Sequence, residues 1–313
     1  MRGGPSSEYD VSLKSGIGVL SALSALGYTV RDIVITKKGD WLVKGFTRAP
    51  QQALAGIDAV FIALHGAYGE DGTVQRILDR LKIPYTGSNA FSSAVAMNKA
   101  LTKDLLKKQE VPFKMARHVR LGRSNTQVLA QALKNITDVF GPEYVVKPVN
   151  GGSSIGTIMS TAGLLFSDVT QALQESEEII VEERIRGKEA TVGILERFRD
   201  QGLYALPAIE IVPPQNAEFF TLEAKYSGDS NEICPGRFST EEKRLLERGA
   251  QLVHTLLDLR QYSRSDFIVA EDGVYFLEVN TLPGLTQQSL FPKALEAVGS
   301  SYNELISHLI TTL

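Results

Sequence analysis

Short apolar runs with strand character alternate with helical segments over the first part of this chain, and glycine-rich loops stand where the strands end. Val11, Ile17, Val19, Leu20, Leu23 and Leu26 recur at helical spacing, with Gly27 as a stop. Strand-like runs follow at Thr29–Thr36 and Ala59–Leu64. The second leads into the loop His65-Gly66-Ala67-Tyr68-Gly69-Glu70-Asp71-Gly72, after which a helix is expected from Thr73 to Leu81. This order predicts an α/β fold that opens with a parallel α/β domain, whose ligands gather at the carboxyl ends of the strands. The opening loop Gly3-Gly4-Pro5-Ser6-Ser7 lacks the strand that normally precedes such a loop, so the edge of the first sheet is expected to be incomplete.

At 313 residues the chain has room for two or three domains. Changes of character near Ser88 and Val181 divide it into 1–88, 89–181 and 182–313. The first is read as a substrate-binding domain. The second carries a glycine-rich flap, and the third a metal site and a lid loop. Apolar residues make up 43% and charged residues 22%, which excludes a mainly disordered chain. The net charge of -3 leaves no basic excess for nucleic acid. Apolar runs such as Ala59–Leu64 are too short to cross a membrane. Cys234 is the single cysteine, so no intrachain disulfide or cysteine metal cluster can form. With no apolar leader at Met1-Arg2-Gly3-Gly4-Pro5, these features point to a cytoplasmic protein.

The second part reads as a basic helix over Ala90–Gln109, a helix over Asn125–Phe140 and strands at Tyr144–Lys147 and Ile179–Val181. Strands are then expected at Thr191–Leu195 and Leu203–Val212, a long amphipathic helix at Thr240–Leu259, a hairpin at Arg264–Asn280 and a terminal helix from Tyr302.

Gly151-Gly152-Ser153-Ser154-Ile155-Gly156 offers backbone N–H groups and hydroxyls to phosphate oxygens, with Lys147 close by in sequence. It is neither a Walker A loop nor a dinucleotide fingerprint, because a strand follows it. An exposed β-turn is the competing reading.

The hairpin is more specific, since Asp266, Glu278 and Asn280 interrupt otherwise apolar strands. A two-residue Asp272-Gly273 turn would put Asp266 and Glu278 on opposite faces. A three-residue Glu271-Asp272-Gly273 turn would put them on one face, together with Arg264 and Asn280. In the second geometry the carboxylates would repel unless neutralised, and Mg²⁺ suits few carboxylates plus phosphate oxygens. Thr281-Leu282-Pro283-Gly284-Leu285-Thr286 continues from the hairpin as a rigid turn that could cradle a carboxylate. Glu182, Glu183 and Glu189 stand at a domain edge, where a purine could use the backbone and an acid the ribose. Glu223-Ala224-Lys225-Tyr226 lies in a long polar segment with the character of a lid. Glu8 and His65 occupy glycine-rich loops. The four histidines share no zinc spacing, and no Gly-x-Ser-x-Gly elbow occurs.

Taken in order, these segments resemble the D-alanine–D-alanine ligases of the ATP-grasp superfamily. The matching stretches are Gly3–Leu13, His65-Gly66 with Gly69–Gly72, Pro84–Ser88, Met97-Asn98-Lys99, Val146-Lys147-Pro148 with Gly152–Gly156, Glu223–Tyr226, Arg264–Phe267 and Glu278–Leu290. They cover nearly the whole chain. The resemblance implies a three-domain fold that binds ATP between the second and third domains, through Lys99, Lys147, Ser153, Glu182, Glu183, Ile185 and Glu189, with Lys225 on the phosphates. It implies two Mg²⁺ ions on Asp266, Glu278 and Asn280, with Mn²⁺ as a substitute. Glu8, near His65, would take the ammonium of the first D-alanine, and Ser289 with Leu290 the carboxylate of the second. Tyr226 would meet Ser153, while Arg264 and Gly284 would face the oxyanion. The implied activity is ATP-dependent joining of two D-alanines through an acyl phosphate for peptidoglycan, in a protein of a family that is often dimeric. D-lactate or D-serine as second substrate, or an inactive nucleotide-binding protein, are the alternatives. Thr221 and Leu222 depart from the usual acidic and aromatic residues, and Gln288 stands where histidine is common.

Overall fold

A computed structural model describes residues 1–152, 155–213 and 231–313. Three sheets occur among them in chain order. The first holds β1 (Arg2–Gly3), β2 (Ile33–Ile35), β3 (Trp41–Val43) and β4 (Phe46–Arg48). Helices α1 (Tyr9–Ala25), α2 (Pro50–Ala53) and α3 (Thr73–Leu81) belong to this part of the chain. The opening strand, which the sequence reading expects to be missing, is present as a two-residue stub: β1 pairs in parallel with β2, Arg2 opposite Val34 and Gly3 opposite Ile35. The run Ala59–Leu64 forms no regular strand, but Val60 pairs in parallel with Tyr85, and Ala63 donates to the Met1 carbonyl. The sheet is therefore parallel between β1 and β2. It is extended by an antiparallel hairpin, β3–β4, absent from the sequence expectations. That hairpin turns at Lys44-Gly45, both with positive φ, the geometry that two-residue hairpin loops favour.

The basic helix expected over Ala90–Gln109 is two helices, α4 (Ala90–Met97) and α5 (Lys99–Leu106), broken at Asn98. Asn98 leaves helical geometry, and its side chain accepts from Leu101 N as an N-cap. The break frees Lys99 N to donate to Val149 O, which ties the helix to the stem of the glycine loop. We expect Asn98→Ala to lower unfolding free energy by about 1 kcal/mol, which urea titration measures.

The second sheet contains β5 (His118–Gly122), β6 (Glu143–Pro148), β7 (Ile158–Thr161) and β8 (Glu178–Glu183) in the order β5-β8-β6-β7, backed by α6 (Thr126–Val139) and α7 (Leu165–Glu175). The third contains β9 (Lys188–Phe198), β10 (Gln201–Ala205), β11 (Ile209–Val212), β12 (Asn231–Ile233), β13 (Tyr262–Ala270) and β14 (Gly273–Asn280). Its long helix is α8 (Thr240–Leu256), capped by a Ser239/Glu242 box. Helices α9 (Leu290–Ala297) and α10 (Tyr302–Thr311) close the chain.

Packing cuts across the divisions at 88 and 181. Phe113 joins Phe267 and Phe276 in the core of the third sheet. Leu305, Ile306 and Leu309 of α10 share a core with Val19, Ile35 and Leu64 of the first part. Among the described residues no helix is long and apolar enough to cross a membrane.

Candidate active site

The hairpin register decides the site. Ala270 pairs with Gly273, so the turn is the two residues Glu271-Asp272, neither of the two turns weighed above. From there Phe267 faces Phe276. A β-bulge then takes up Leu277, and Asp266 pairs with Glu278, Ser265 with Val279 and Arg264 with Asn280. Without it Glu278 would share the apolar face of Val274 and Phe276, in a buried core. The one-face arrangement thus arises from a bulge rather than from a three-residue turn.

Asp266 is the centre of that face. Its Oδ1 accepts from Thr191 Oγ1 at 2.6 Å and from Arg264 Nε at 2.9 Å. Its Oδ2 accepts from Arg264 Nη2 at 3.0 Å and from Asn280 Nδ2 at 3.2 Å. Thr191 is a neighbour that sequence reasoning missed. Among the described residues, no group of three His, Cys, Asp or Glu side chains is disposed to hold a metal. The set here is two carboxylates and an amide, all hard oxygen donors. It fits a divalent cation whose shell is completed by phosphate oxygens and water.

A cleft of about 290 Å³ runs between the second and third sheets. One wall carries Lys99, Lys147, Gly151 and Gly152, the other Arg264, Asp266 and Glu278. Lys99 Nζ lies 3.3 Å from Glu278 and also donates to the Gly151 carbonyl, so it joins helix, flap and hairpin. Glu183, Ile185 and Glu189 line the same cleft. The Glu183 carboxylate binds Arg117, with Nε–Oε2 and Nη2–Oε2 both 2.6 Å, while its backbone N–H donates to Arg117 O.

Glu182 is 2% exposed, and its side chain turns inward between two lysines. Lys147 Nζ is 2.9 Å from Oε2, and Lys103 Nζ is 2.5 Å from Oε1. Burial opposes its ionisation, but the two ammonium groups prevail and hold the carboxyl down to about 2. Sequence reasoning missed the role of Lys103, one lysine within the basic helix. Its spacing of four from Lys99 puts both on one helix face, and that was the available signal.

The cleft narrows toward a recess lined by Gly66, Glu70, Asn280 and Thr281. Glu8 Oε2 lies 2.7 Å from where a Cβ on Gly66 would stand and 3.6 Å from where one on Gly152 would stand. Gly66, at φ +68, thus leaves room for this carboxylate between the first part and the flap. His65 is buried, and both its ring nitrogens are engaged: Nδ1 faces Leu282 O at 2.9 Å and Nε2 faces Ser15 Oγ at 2.8 Å. A carbonyl can only accept, so Nδ1 carries the proton and Ser15 donates to Nε2. Burial pushes the His65 pKa down, which keeps the ring neutral. His65 therefore orients the 282 loop rather than presenting a free nitrogen.

Glu70, which the sequence reading left without a role, grips the same loop. It accepts from Gly66 N at 2.9 Å and from the Thr281 and Leu282 N–H groups, each at 3.1 Å. Ser289 Oγ is tied to Thr286, at 3.1 Å from its N–H and 2.8 Å from its hydroxyl. Ser289 stands at the N-cap of α9, and Leu290 opens that helix. Gly284 approaches Ser289 so closely that a Cβ there would stand 2.9 Å from Oγ. Ser153, Lys225 and Tyr226, expected on the flap and lid, lie outside the described residues.

Comparison with known proteins points the same way. Residues 44–88 match the family model described as D-ala D-ala ligase N-terminus, and 105–311 the one described as D-ala D-ala ligase C-terminus. A D-alanine–D-alanine ligase from Geobacter sulfurreducens is 40% identical, over 99% of this chain and 92% of the relative. One from Syntrophobacter fumaroxidans is 39% identical, over 99% and 95%. Among solved structures, D-alanyl-alanine synthetase A from Vibrio cholerae superposes with a TM-score of 0.86 at 26% identity, covering 99% of this chain and 96% of that one. VanG D-Ala:D-Ser ligase from Enterococcus faecalis gives 0.84 at 28%, covering 99% and 97%. The chain belongs to the D-alanine–D-alanine ligase family.

Proposed function

We propose that this protein joins two D-alanines into D-alanyl-D-alanine at the expense of ATP, through an acyl phosphate, in the cytoplasmic supply of peptidoglycan. The carrying observation is the opposition across one cleft of Lys99 and Lys147 to Asp266, Glu278 and Asn280.

A carboxylate is a poor electrophile, and an amine does not displace its oxygen at neutral pH. Transfer of the γ-phosphoryl group onto the first D-alanine carboxylate activates it. Positioning and charge neutralisation accelerate that step. Lys99 and Lys147 bring positive charge to the nucleotide phosphates. Asp266, Glu278 and Asn280 would hold Mg²⁺, two ions in this reading with Mn²⁺ able to replace them, and the bound metal would supply neutralisation of charge on the phosphate oxygens. Glu8, between Gly66 and Gly152, takes the ammonium of the first D-alanine. The second amine attacks the carbonyl carbon, and Arg264 with the Gly284 backbone receives the oxyanion before phosphate leaves. The N-terminus of α9 at Ser289-Leu290 suits the second carboxylate. Glu183, Ile185 and Glu189 contact the nucleoside end, and Glu182, whose carboxylate is turned to Lys103 and Lys147, offers it only its backbone. Ser153, Lys225 and Tyr226 would complete the enclosure and exclude water. A homodimer belongs to the same reading, and light scattering tests it.

Phosphate release that depends on D-alanine, with the dipeptide detected, is the decisive assay. ATP binding without release would favour an inert nucleotide-binding protein. Competing D-serine and D-lactate in that assay separates the acceptors. We expect Glu8→Gln to raise the KM for D-alanine at least roughly ten-fold, as loss of one charge-assisted contact does, with the KM for ATP changed less than two-fold on the same scale. Equal losses for both substrates would contradict the role of Glu8.

A further inference from the structure

We propose that Lys103 is a positioning residue for ATP: its buried ammonium cancels the charge of Glu182, so that Lys147 offers an uncompensated positive charge to the nucleotide. This rests on the ATP reading above.

The argument begins with the packing of α5 on β8. Ala100 and Ile180 share a small buried cluster with Val149. One turn along the helix, Lys103 meets Glu182, two residues along the strand from Ile180 and on the same face. Lys103 is 0% exposed and does not line the cleft, so it cannot touch a nucleotide. Lys147 is 8% exposed and does line it. Both ammonium groups converge on one carboxylate, Lys103 on Oε1 and Lys147 on Oε2.

Two cations and one anion leave one net positive charge, and Lys147 is the cation of the three that lines the cleft. Without Lys103, Glu182 and Lys147 would form a neutral pair, and the phosphate wall would lose that charge. Glu182 would also hold Lys147 more tightly, away from the phosphates. A fully buried lysine is costly to ionise, as the downward push of burial on the Lys103 pKa reflects. Retaining it beside a carboxylate is intelligible if the excess charge matters. Lys99 and Glu278 face each other at 3.3 Å and are untouched by a change at Lys103.

The test compares the full-length parent with Lys103→Met, Glu182→Gln and the double variant by steady-state kinetics. Lys103→Met should raise the KM for ATP roughly ten-fold or more, the scale of one unit charge removed at short range in a partly screened site. The KM for D-alanine should stay within about two-fold of the parent on the same scale. The double variant removes both buried charges, restores the net count, and should return the KM for ATP to within about three-fold of the parent. A purely structural lysine predicts instead that the double variant is no better than Lys103→Met, and that result overturns the proposal. An unchanged KM for ATP in Lys103→Met does so too. If Lys103→Met fails to fold, the double variant, which also removes the buried carboxylate that Lys103 faces, decides alone. A KM for ATP near the parent's supports the proposal, and a ten-fold rise overturns it. A parent that binds no ATP in calorimetry overturns the functional reading as well, whereas a parent that binds ATP normally confines any failure to Lys103.

Discussion

Asp266→Asn is expected to lower D-alanine-dependent phosphate release about a thousand-fold while the chain remains folded, the scale seen when one preorganised electrostatic group is removed from a reacting site. The carboxylate accepts four hydrogen bonds, from Thr191, twice from Arg264 and from Asn280. An amide offers one oxygen and turns an NH₂ toward donors. Either Thr191 and Arg264 or Arg264 and Asn280 would then face a donor in place of an acceptor. The loss in stability should be about 1–2 kcal/mol, because the strands stay paired and the core residues Phe267 and Phe276 are untouched. The metal set loses half its formal charge, so the Mg²⁺ needed for half-maximal rate should rise. Phosphate release followed against Mg²⁺ measures both effects. Full turnover at ordinary Mg²⁺ would remove Asp266 from the phosphoryl-transfer machinery.

The same hairpin shows what the sequence could and could not reveal. Polar residues at 266, 278 and 280 interrupting apolar strands marked a site, and two-residue periodicity limited the choices to one face or two. The bulge was the missing term. Its trace is present, since Glu278 falls in phase with the core residues Val274 and Phe276, and an ionised group cannot sit in that phase unless the register shifts. The break at Asn98 was similarly hidden. Ala90–Gln109 has helical composition throughout, and only capping by a single asparagine separates α4 from α5. Short strands were harder still. The β3–β4 hairpin has three residues on each side, too few for a periodic signal, and only Lys44-Gly45 marked its turn. Long-range electrostatics left the least trace. That Lys103 and Lys147 share Glu182, or that Glu70 reaches across 211 residues to Thr281, follows from tertiary packing alone.

Glu70 carries the second large expectation. Glu70→Ala would strand three buried N–H donors, those of Gly66, Thr281 and Leu282. At about 1–3 kcal/mol each, partly offset by relaxation, the loss in unfolding free energy should reach about 3–5 kcal/mol. Turnover should fall as well, because Thr281 follows Asn280 directly and His65 holds the other side of Leu282 through its carbonyl. A pH dependence separates this clamp from a simple packing defect. Burial, reinforced by the charge of Glu8, pushes the Glu70 carboxyl up to about 7, against the hydrogen bonds from Gly66 and Leu282 and the charge of Arg264. A carboxyl whose pKa is higher in the folded than in the unfolded chain contributes stability below the unfolded value. That contribution is lost as pH rises through the folded value, so the parent should weaken between about pH 4.5 and 7 by up to about 3 kcal/mol from this group. His65 acts in the opposite sense: its folded pKa is depressed, so its contribution is present above the unfolded value and fades as pH falls. Glu70→Gln keeps His65 and removes only the Glu70 titration. Urea unfolding of parent and Glu70→Gln at pH 5 and pH 8, taken as a difference, isolates it. The variant should be less stable than the parent at pH 5 and close the gap at pH 8. A gap that is the same at both pH values would mean that Glu70 does not titrate in this range, and that its carboxylate holds the Thr281-Leu282 loop in one charge state throughout.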